Sequence, residues 1–174
     1  MVDRMVRAAK GEVALYEEVE NTPALTQEAY TIVGIIAALS ALGGLLVGFA
    51  TNVNPITNAL YQGIMSVVAY LIWSYLTFFI GTSVFKGTAD AGELQRTIAY
   101  AMTPQILTFI PVVGFLAYLW SLYLGVVAVR QALDFDTTKA LMTTGLALLA
   151  VVILSVVVGI VLGVGSAAVG SITG

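Results

Sequence analysis

The side chains that most often carry out chemistry in proteins are scarce in this chain. It contains no cysteine and no histidine, which excludes disulfides, Cys/His zinc sites and nucleophile–base pairs built on either residue. Two acidic pairs, Asp90/Glu93 and Asp134/Asp136, are short of the further oxygen ligands that a cation needs. We interpret both pairs as solvated loop charge, and we expect no catalytic residue, no metal site and no cofactor.

A proline lies among polar residues within an otherwise apolar stretch. Pro104 removes a backbone hydrogen bond and frees the carbonyl of Tyr100 if the stretch is helical. Within a membrane such a carbonyl needs a partner, and Thr103, Gln105 and Thr108 are close enough in sequence to help. Two interpretations stay open: a simple kink that shapes packing, or a polar notch that faces a ligand or a partner chain.

Two pairs of glycines occur four residues apart in apolar segments. They are Gly44/Gly48 and Gly159/Gly163. Glycines at this spacing let two membrane helices approach closely. They indicate either packing within the chain or an interface with another chain, and packing within the chain is the more frequent use of a pattern that is common in glycine-rich helices.

The elements that position these residues must lie in a membrane. Of the 174 residues, 59% are hydrophobic and only 10% are charged, with a mean hydropathy of +0.98. Soluble domains carry about 25% charged residues, so the composition indicates an integral membrane protein. The net charge of −3 offers no basic surface for nucleic acid.

The charged residues fall into three clusters, within 3–28, 86–96 and 130–139. A membrane helix needs roughly 20 apolar residues, and the charge-free blocks between the clusters are long enough for several. We predict an all-α fold of five membrane spans at 27–50, 59–84, 94–110, 115–132 and 138–163. A polar turn at 51–55 joins the first two spans, and a tight turn at 111–114, marked by Pro111, joins the third and fourth.

The distribution of lysine and arginine supports five spans. With an odd number of crossings, every Lys and Arg lies on one side of the membrane and the other side is free of charge. The positive-inside rule makes the basic side cytoplasmic, so we expect a cytoplasmic N-terminus and an opposite C-terminus. A single long span over 97–129 would split the basic residues between the two sides.

The first 26 residues form a separate predicted segment. Four glutamates follow its basic residues, which is unlike a signal peptide. Apolar residues recur at three- and four-residue steps, which predicts one amphipathic helix: Val2, Met5, Val6, Ala9, Val13 and Tyr16. The helix either lies on the cytoplasmic membrane surface or packs against the ends of the spans. The predicted organisation is thus a cytoplasmic helix and linker at 1–26 and a membrane domain at 27–174.

Several of these residues resemble a known family. The run from Arg96 to Pro104 (RTIAYAMTP), the Ile110-Pro111 step with Gly114, and the following Trp120 and Gly125 resemble the core of the Yip1 domain, and the opening MVDRMVRAAKGEVALYEEVE resembles prokaryotic members. The resemblance implies five membrane helices with a cytosolic N-terminus. A DLYGP motif, which accompanies GTPase-linked eukaryotic relatives, is absent, so GTPase binding does not transfer.

Three functions remain as hypotheses. The first is a non-enzymatic interaction protein of a prokaryotic cytoplasmic membrane, an accessory or scaffold subunit whose partners are the lipid bilayer and other integral membrane proteins or a second copy of itself. The second is a carrier or channel for a small or lipid-like solute, suggested by the Pro104 notch. The third is a membrane-shaping protein that uses its N-terminal helix as a wedge. Nothing in the sequence supports a bound pigment or quinone.

Overall fold

The described part of the chain is built from helices. The computed structural model describes residues 1–51 and 53–161, with side chains for these residues except 111 and 155–161. Its α-helices are, in chain order, α1 Val2–Ala9, α2 Val13–Glu20, α3 Thr26–Ala50, α4 Pro55–Phe79, α5 Ala91–Ala101, α6 Pro111–Ala132 and α7 Thr137–Val161. Short 3-10 helices at Pro23–Leu25 and Thr103–Phe109 precede α3 and follow α5, and a π-helical turn at Ile80–Val84 continues α4.

Four helices in the described residues are long and apolar enough to cross a membrane. These segments are Pro23–Ala50, Pro55–Val84, Val112–Ala132 and Thr137–Leu154. Together they make this chain a multi-pass membrane protein. The predicted third span, 94–110, is not among the four, so the count of five is not confirmed.

The predicted third span is short because its helix stops at the proline. The α-helix ends at Ala101, and a 3-10 helix over Thr103–Phe109 takes over with Pro104 in its first turn. A proline there needs no hydrogen bond from its missing N–H, so the segment changes helix type instead of continuing as a kinked α-helix. Pro111 is the first residue of α6, so the predicted turn at 111–114 is helical. Ile110 alone connects the 3-10 helix to α6.

The α5 and 3-10 segments run beside α3 without reaching its end. A Cβ on Gly43 would lie 3.2 Å from the Cα of Phe109, which places the last residue of the 3-10 helix beside α3 seven residues before α3 ends. At 1.5 Å per residue this leaves about 10 Å of α3 beyond the bend. Gly114 then packs on the backbone of Thr108, where a Cβ would meet the Cα at 2.6 Å, so the returning α6 starts in tight contact.

The N-terminal segment forms two helices that pack on the bundle. Gly11 has a φ of +73°, a left-handed conformation that glycine adopts without strain, and it separates α1 from α2. The break changes which residues face inward: Val2, Val6 and Val13 are exposed, and the buried residues are Met5, Ala8, Leu15, Tyr16 and Val19. One continuous amphipathic helix was predicted here, and the structure replaces it with a helical hairpin, the N-terminal hairpin of residues 2–20.

The hairpin is packed between α5 and α6. Trp120 of α6 donates its indole N–H to the carbonyl of Ala9 at 2.7 Å, and the Gln131 amide donates to Glu17 at 3.1 Å. These two contacts show that residues 9–17 follow α6 from its middle toward its C-terminal end. The hairpin therefore covers the bundle, as in the packed alternative considered for the sequence.

Candidate functional site

The three charged clusters, far apart in sequence, lie together at one end of the bundle. The Thr88 hydroxyl donates to Asp134 at 2.9 Å, joining the loop after α4 to the loop before α7. The rings of Phe85 and Phe135 meet edge to face with centroids 6.3 Å apart. The N-terminal hairpin reaches the same end through its contacts with α5 and α6. We call this assembled surface the charged end.

Arg96 joins the hairpin to the bundle. The residue is only 5% exposed, and its guanidinium donates to the carbonyl of Val19 at 3.1 Å and to the carbonyl of Glu20 at 2.6 Å. These are carbonyls at the C-terminal end of α2, which have no partners within that helix. The positive charge also complements the negative end of the α2 dipole. Arg96 lies near the start of the predicted third span, and the structure buries it as a cap on the end of α2.

A second contact centres on Glu28. Arg4 donates to both carboxylate oxygens of Glu28, from Nε at 2.9 Å and from Nη2 at 2.6 Å. The Tyr100 hydroxyl donates to the same carboxylate at 2.5 Å. A two-pronged arginine–carboxylate pair is the strongest common form of ion pair. The cluster joins α1, α3 and α5, and the sequence did not indicate it because its members are 24 and 72 residues from Glu28.

The pKa values of carboxyl groups in the hairpin differ with their surroundings. Hydrogen bonds from Arg7 lower the pKa of Glu12, since they stabilise the charged form. Glu20 has the opposite environment: burial, together with Asp134, Glu93 and Glu17 nearby, raises its pKa to about 7. The charged end therefore contains one carboxyl group that titrates near neutral pH.

The loop acids have structural roles. Asp90 accepts a hydrogen bond from the backbone N–H of Glu93 at 2.8 Å, and Glu93 accepts one from the N–H of Asp90 at 2.7 Å. This reciprocal arrangement is a capping box at the start of α5. Asp136 accepts from the N–H of Lys139 at 2.9 Å and so caps the start of α7. Of the acids interpreted as solvated loop charge, Asp90, Glu93 and Asp136 thus act at helix starts, and Asp134 accepts from Thr88.

Away from the charged end, the structure contains a cavity of about 250 Å³. Its walls come from α4 on one side and from α6 and α7 on the other, with α3 and the 3-10 helix completing it. The lining includes Ser40, Gln62, Tyr70, Trp73, Gln105 and Tyr118. A second cavity of about 200 Å³ adjoins it and shares Ser40 and Gln62.

The polar neighbours of Pro104 meet these cavities. Gln105 lines the larger cavity and Thr108 the smaller. Thr103 is buried, and its hydroxyl has no hydrogen-bond partner. The change from α-helix to 3-10 helix at Pro104 therefore turns polar side chains toward intramembrane space, which is the geometry that a polar notch requires.

The first glycine pair packs inside the chain. A Cβ on Gly44 would lie 2.7 Å from the carbonyl oxygen of Asn58, and one on Gly48 would lie 2.4 Å from the Cα of Pro55. Both glycines thus let α3 and α4 touch through their backbones. Of the second pair, Gly159 lies on α7 without a described side-chain environment, and Gly163 lies outside the described residues.

The comparisons with known proteins agree with the motif. A family model described as the Yip1 domain matches residues 13–160. No curated protein and no solved structure matches the chain. The matched segment extends from the start of α2 nearly to the end of α7, and it includes the Arg96 and Tyr100 contacts and the Pro104 break. This chain therefore belongs to the Yip1 domain family.

Proposed function

We propose that this membrane protein is a non-enzymatic interaction protein, an accessory or scaffold subunit that binds other integral membrane proteins in the same bilayer. The observation that carries the proposal is the assembly of the charged end from segments that are distant in sequence. Three separate segments are fastened together there by Arg96, Glu28 and the loop contacts, so that one rigid polar surface stands on an otherwise apolar bundle. The Yip1 family is not known to be enzymatic.

The outer face of α7 offers a second, apolar surface. Seven large apolar side chains of α7 are exposed: Leu141, Met142, Leu146, Leu149, Val152, Ile153 and Leu154. Gly145 lies among them, and a Cβ there would meet nothing within 4 Å. This face suits lipid or another membrane helix. Gly44 and Gly48, in contrast, are used inside the chain, so they do not support a dimer interface.

We further propose that the charged end faces the cytoplasm of a prokaryotic cell. All lysines and arginines lie in the clusters that meet there, as the positive-inside rule requires of a cytoplasmic face. The short α5 and 3-10 segment supports this orientation. The chain leaves the charged end along α5 and the 3-10 helix, and α6 brings it back to the charged end. The basic residues therefore stay on one side even though only four described helices are long enough to span.

The test is gentle solubilisation of native membranes followed by native electrophoresis and identification of the comigrating proteins. We expect the chain in a larger assembly, and migration only as a free monomer would contradict the proposal. A protein carrying Lys10→Glu and Lys139→Glu reverses exposed charges at the charged end. A Gly145→Ile protein instead fills the open space on α7, so the variant that loses the assembly identifies the surface used.

A carrier or channel for a small or lipid-like solute is the second candidate, and the cavity beside the Pro104 break favours it. Flux measured in liposomes tests this function. Unaltered flux in a Pro104→Ala protein would remove the break from the mechanism.

Membrane shaping has less support, because Met5, Ala8, Leu15 and Tyr16 are packed against the bundle and would have to be released before the hairpin could act as a wedge. Deletion of residues 1–21 would abolish curvature-dependent binding if that function were correct.

A further inference from the structure

The larger cavity is a crevice between α4 and the α6–α7 pair. Met65, Ser66 and Trp73 of α4 face Tyr118 and Leu122 of α6 across it. Near the charged end the two sides are closed, since a Cβ on Gly125 of α6 would lie 2.7 Å from the Trp73 ring. The crevice therefore begins beside Trp73 and extends away from the charged end toward Gln62.

Two amide side chains face this crevice without protein partners. Gln105 is only 8% exposed, and it lines the cavity together with Gln62. Neither side-chain amide forms a hydrogen bond with any described residue. An amide buried in hydrocarbon without a hydrogen bond costs on the order of several kcal/mol. Something other than the described protein must therefore satisfy the buried Gln105 amide, and the amide of the exposed Gln62 is available to the same occupant.

The chemistry of the lining restricts the occupant. No acidic or basic side chain lines either cavity, so the occupant's polar group is neutral. The amides present N–H donors, and the remaining walls include Met65, Trp73, Met102, Leu122 and Leu148. Water could bond to the amides, but the apolar side chains that form the rest of the walls offer it no hydrogen bonds. A carbonyl group attached to a hydrocarbon chain fits both the amide donors and the apolar walls.

We propose that this cavity binds a glycerolipid of the surrounding bilayer, with Gln62 and Gln105 donating to its ester carbonyls and its acyl chain lying along Trp73, Met65 and Leu122. Gln62 is seven residues from the start of α4, about 10 Å along the helix. That depth suits a lipid of the leaflet opposite the charged end. The adjoining cavity, which shares Gln62, extends the space toward Thr108 and Phe109. The inference goes beyond the interaction function, and a chain that binds no protein partner would still hold this lipid.

Trp73 provides a probe of occupancy. The chain has two tryptophans, so a Trp120→Phe protein reports on Trp73 alone. Trp73 is 6% exposed, and bulk lipid has little access to it. In vesicles of phosphatidylcholine with brominated acyl chains, we expect Trp73 fluorescence to be strongly quenched. An added Ala69→Leu substitution, which narrows the cavity, should remove most of the quenching, whereas Gly145→Leu on the outer face of α7 should leave it unchanged.

The amides are tested with ester-linked and ether-linked brominated lipids of the same chain length. Titration against unbrominated lipid gives relative affinities, and we expect the ester lipid to bind roughly fivefold more tightly, as befits a hydrogen bond. Gln105→Leu, which keeps the volume and removes the buried amide, should weaken this preference, and Gln27→Leu at the charged end should retain it. Absent quenching, quenching that survives Ala69→Leu, or equal binding of both lipids by the Trp120→Phe protein would each overturn the proposal.

Discussion

At the charged end, Arg4, Arg7 and Arg96 each have side-chain or carbonyl partners within 3.1 Å, whereas in the cavity Gln62 and Gln105 have none. At the charged end water reaches the arginine–glutamate pairs, so these ion pairs position segments more than they add stability. The cavity lies among apolar helices, where a missing partner is expensive. The comparison suggests that the partnered groups of the charged end assemble this protein and that the unpartnered amides of the cavity are available to bind something else.

The two regions also differ in how their helices are held together. Side chains fasten the hairpin to α5 and α6, while α3 and α4 touch backbone to backbone at Gly44 and Gly48. Without a hydrophobic force between helices in lipid, close packing of small residues supplies much of the association. Each of the following predictions perturbs one of these contacts.

The largest effect is expected at Gly48. A Gly48→Ala change places a methyl group 2.4 Å from the Cα of Pro55, and because backbone cannot move aside cheaply, the loss should be about 3 kcal/mol. Gly34 lies on the same helix with nothing within 4 Å of its Cβ position. Thermal unfolding in detergent should therefore show Gly48→Ala strongly destabilised and Gly34→Ala close to the parent. Equal behaviour of the two would refute the backbone contact.

Arg96→Gln should have the next largest effect. The change leaves the carbonyls of Val19 and Glu20 without their charged donor, at about 2 kcal/mol. We expect the hairpin to detach while the membrane helices remain folded. Hydrogen exchange or limited proteolysis of residues 1–21 measures the release, and quenching of Trp73 by brominated lipid serves as the internal control for the cavity. Unchanged protection of the hairpin would contradict the role assigned to Arg96.

A smaller effect is expected for Tyr100→Phe. The ring is kept, and only the hydrogen bond to Glu28 is lost, which should cost about 1 kcal/mol. A double-mutant cycle with Arg4→Met asks whether Arg4 and Tyr100 support the same carboxylate. We expect a clear coupling energy, because both donate to Glu28. Additive changes in the unfolding free energy would show that the two contacts act independently.

The smallest effect concerns Glu20 and pH. Its pKa is raised to about 7, so the folded protein retains a proton that the unfolded chain releases near its ordinary pKa of 4.5. Stability should therefore fall as pH rises from about 5 to 7 and then level off. Glu20→Gln removes this contribution, so the thermal unfolding midpoint of the variant should change less with pH over that range. A slope identical to that of the parent would argue against the raised pKa.

Some of this architecture was predictable because it follows from local sequence. The low charge content and the apolar blocks predict the membrane helices, and the segment 96–104 predicts the family, which the family model confirms. Pro104 was predicted to disturb its helix because a proline cannot donate a hydrogen bond. That effect depends on neighbouring residues alone, and the change of helix type at Ala101–Thr103 follows from it.

Other features could not be predicted because they depend on contacts between distant residues. A single long span over 97–129 was predicted to divide the basic residues between the two sides. In the structure this stretch instead runs beside α3, bends at Ile110 and returns as α6. The N-terminal face was predicted as one helix because Gly11 gives no sign, by itself, that it will adopt a positive φ. The cluster at Glu28 was not predicted because Arg4 and Tyr100 meet this residue only in the folded chain.

By itself, the sequence determined that this chain resides in a membrane, that its ionic residues gather in three places, and that its helix breaks at Pro104. These properties arise from hydropathy and from backbone geometry, which act over a few residues. The tertiary structure alone decided that the three charged places form one surface, that Gly44 and Gly48 face α4, and that Gln62 and Gln105 share a cavity. Those outcomes depend on which helix faces meet, and packing across the whole bundle sets that.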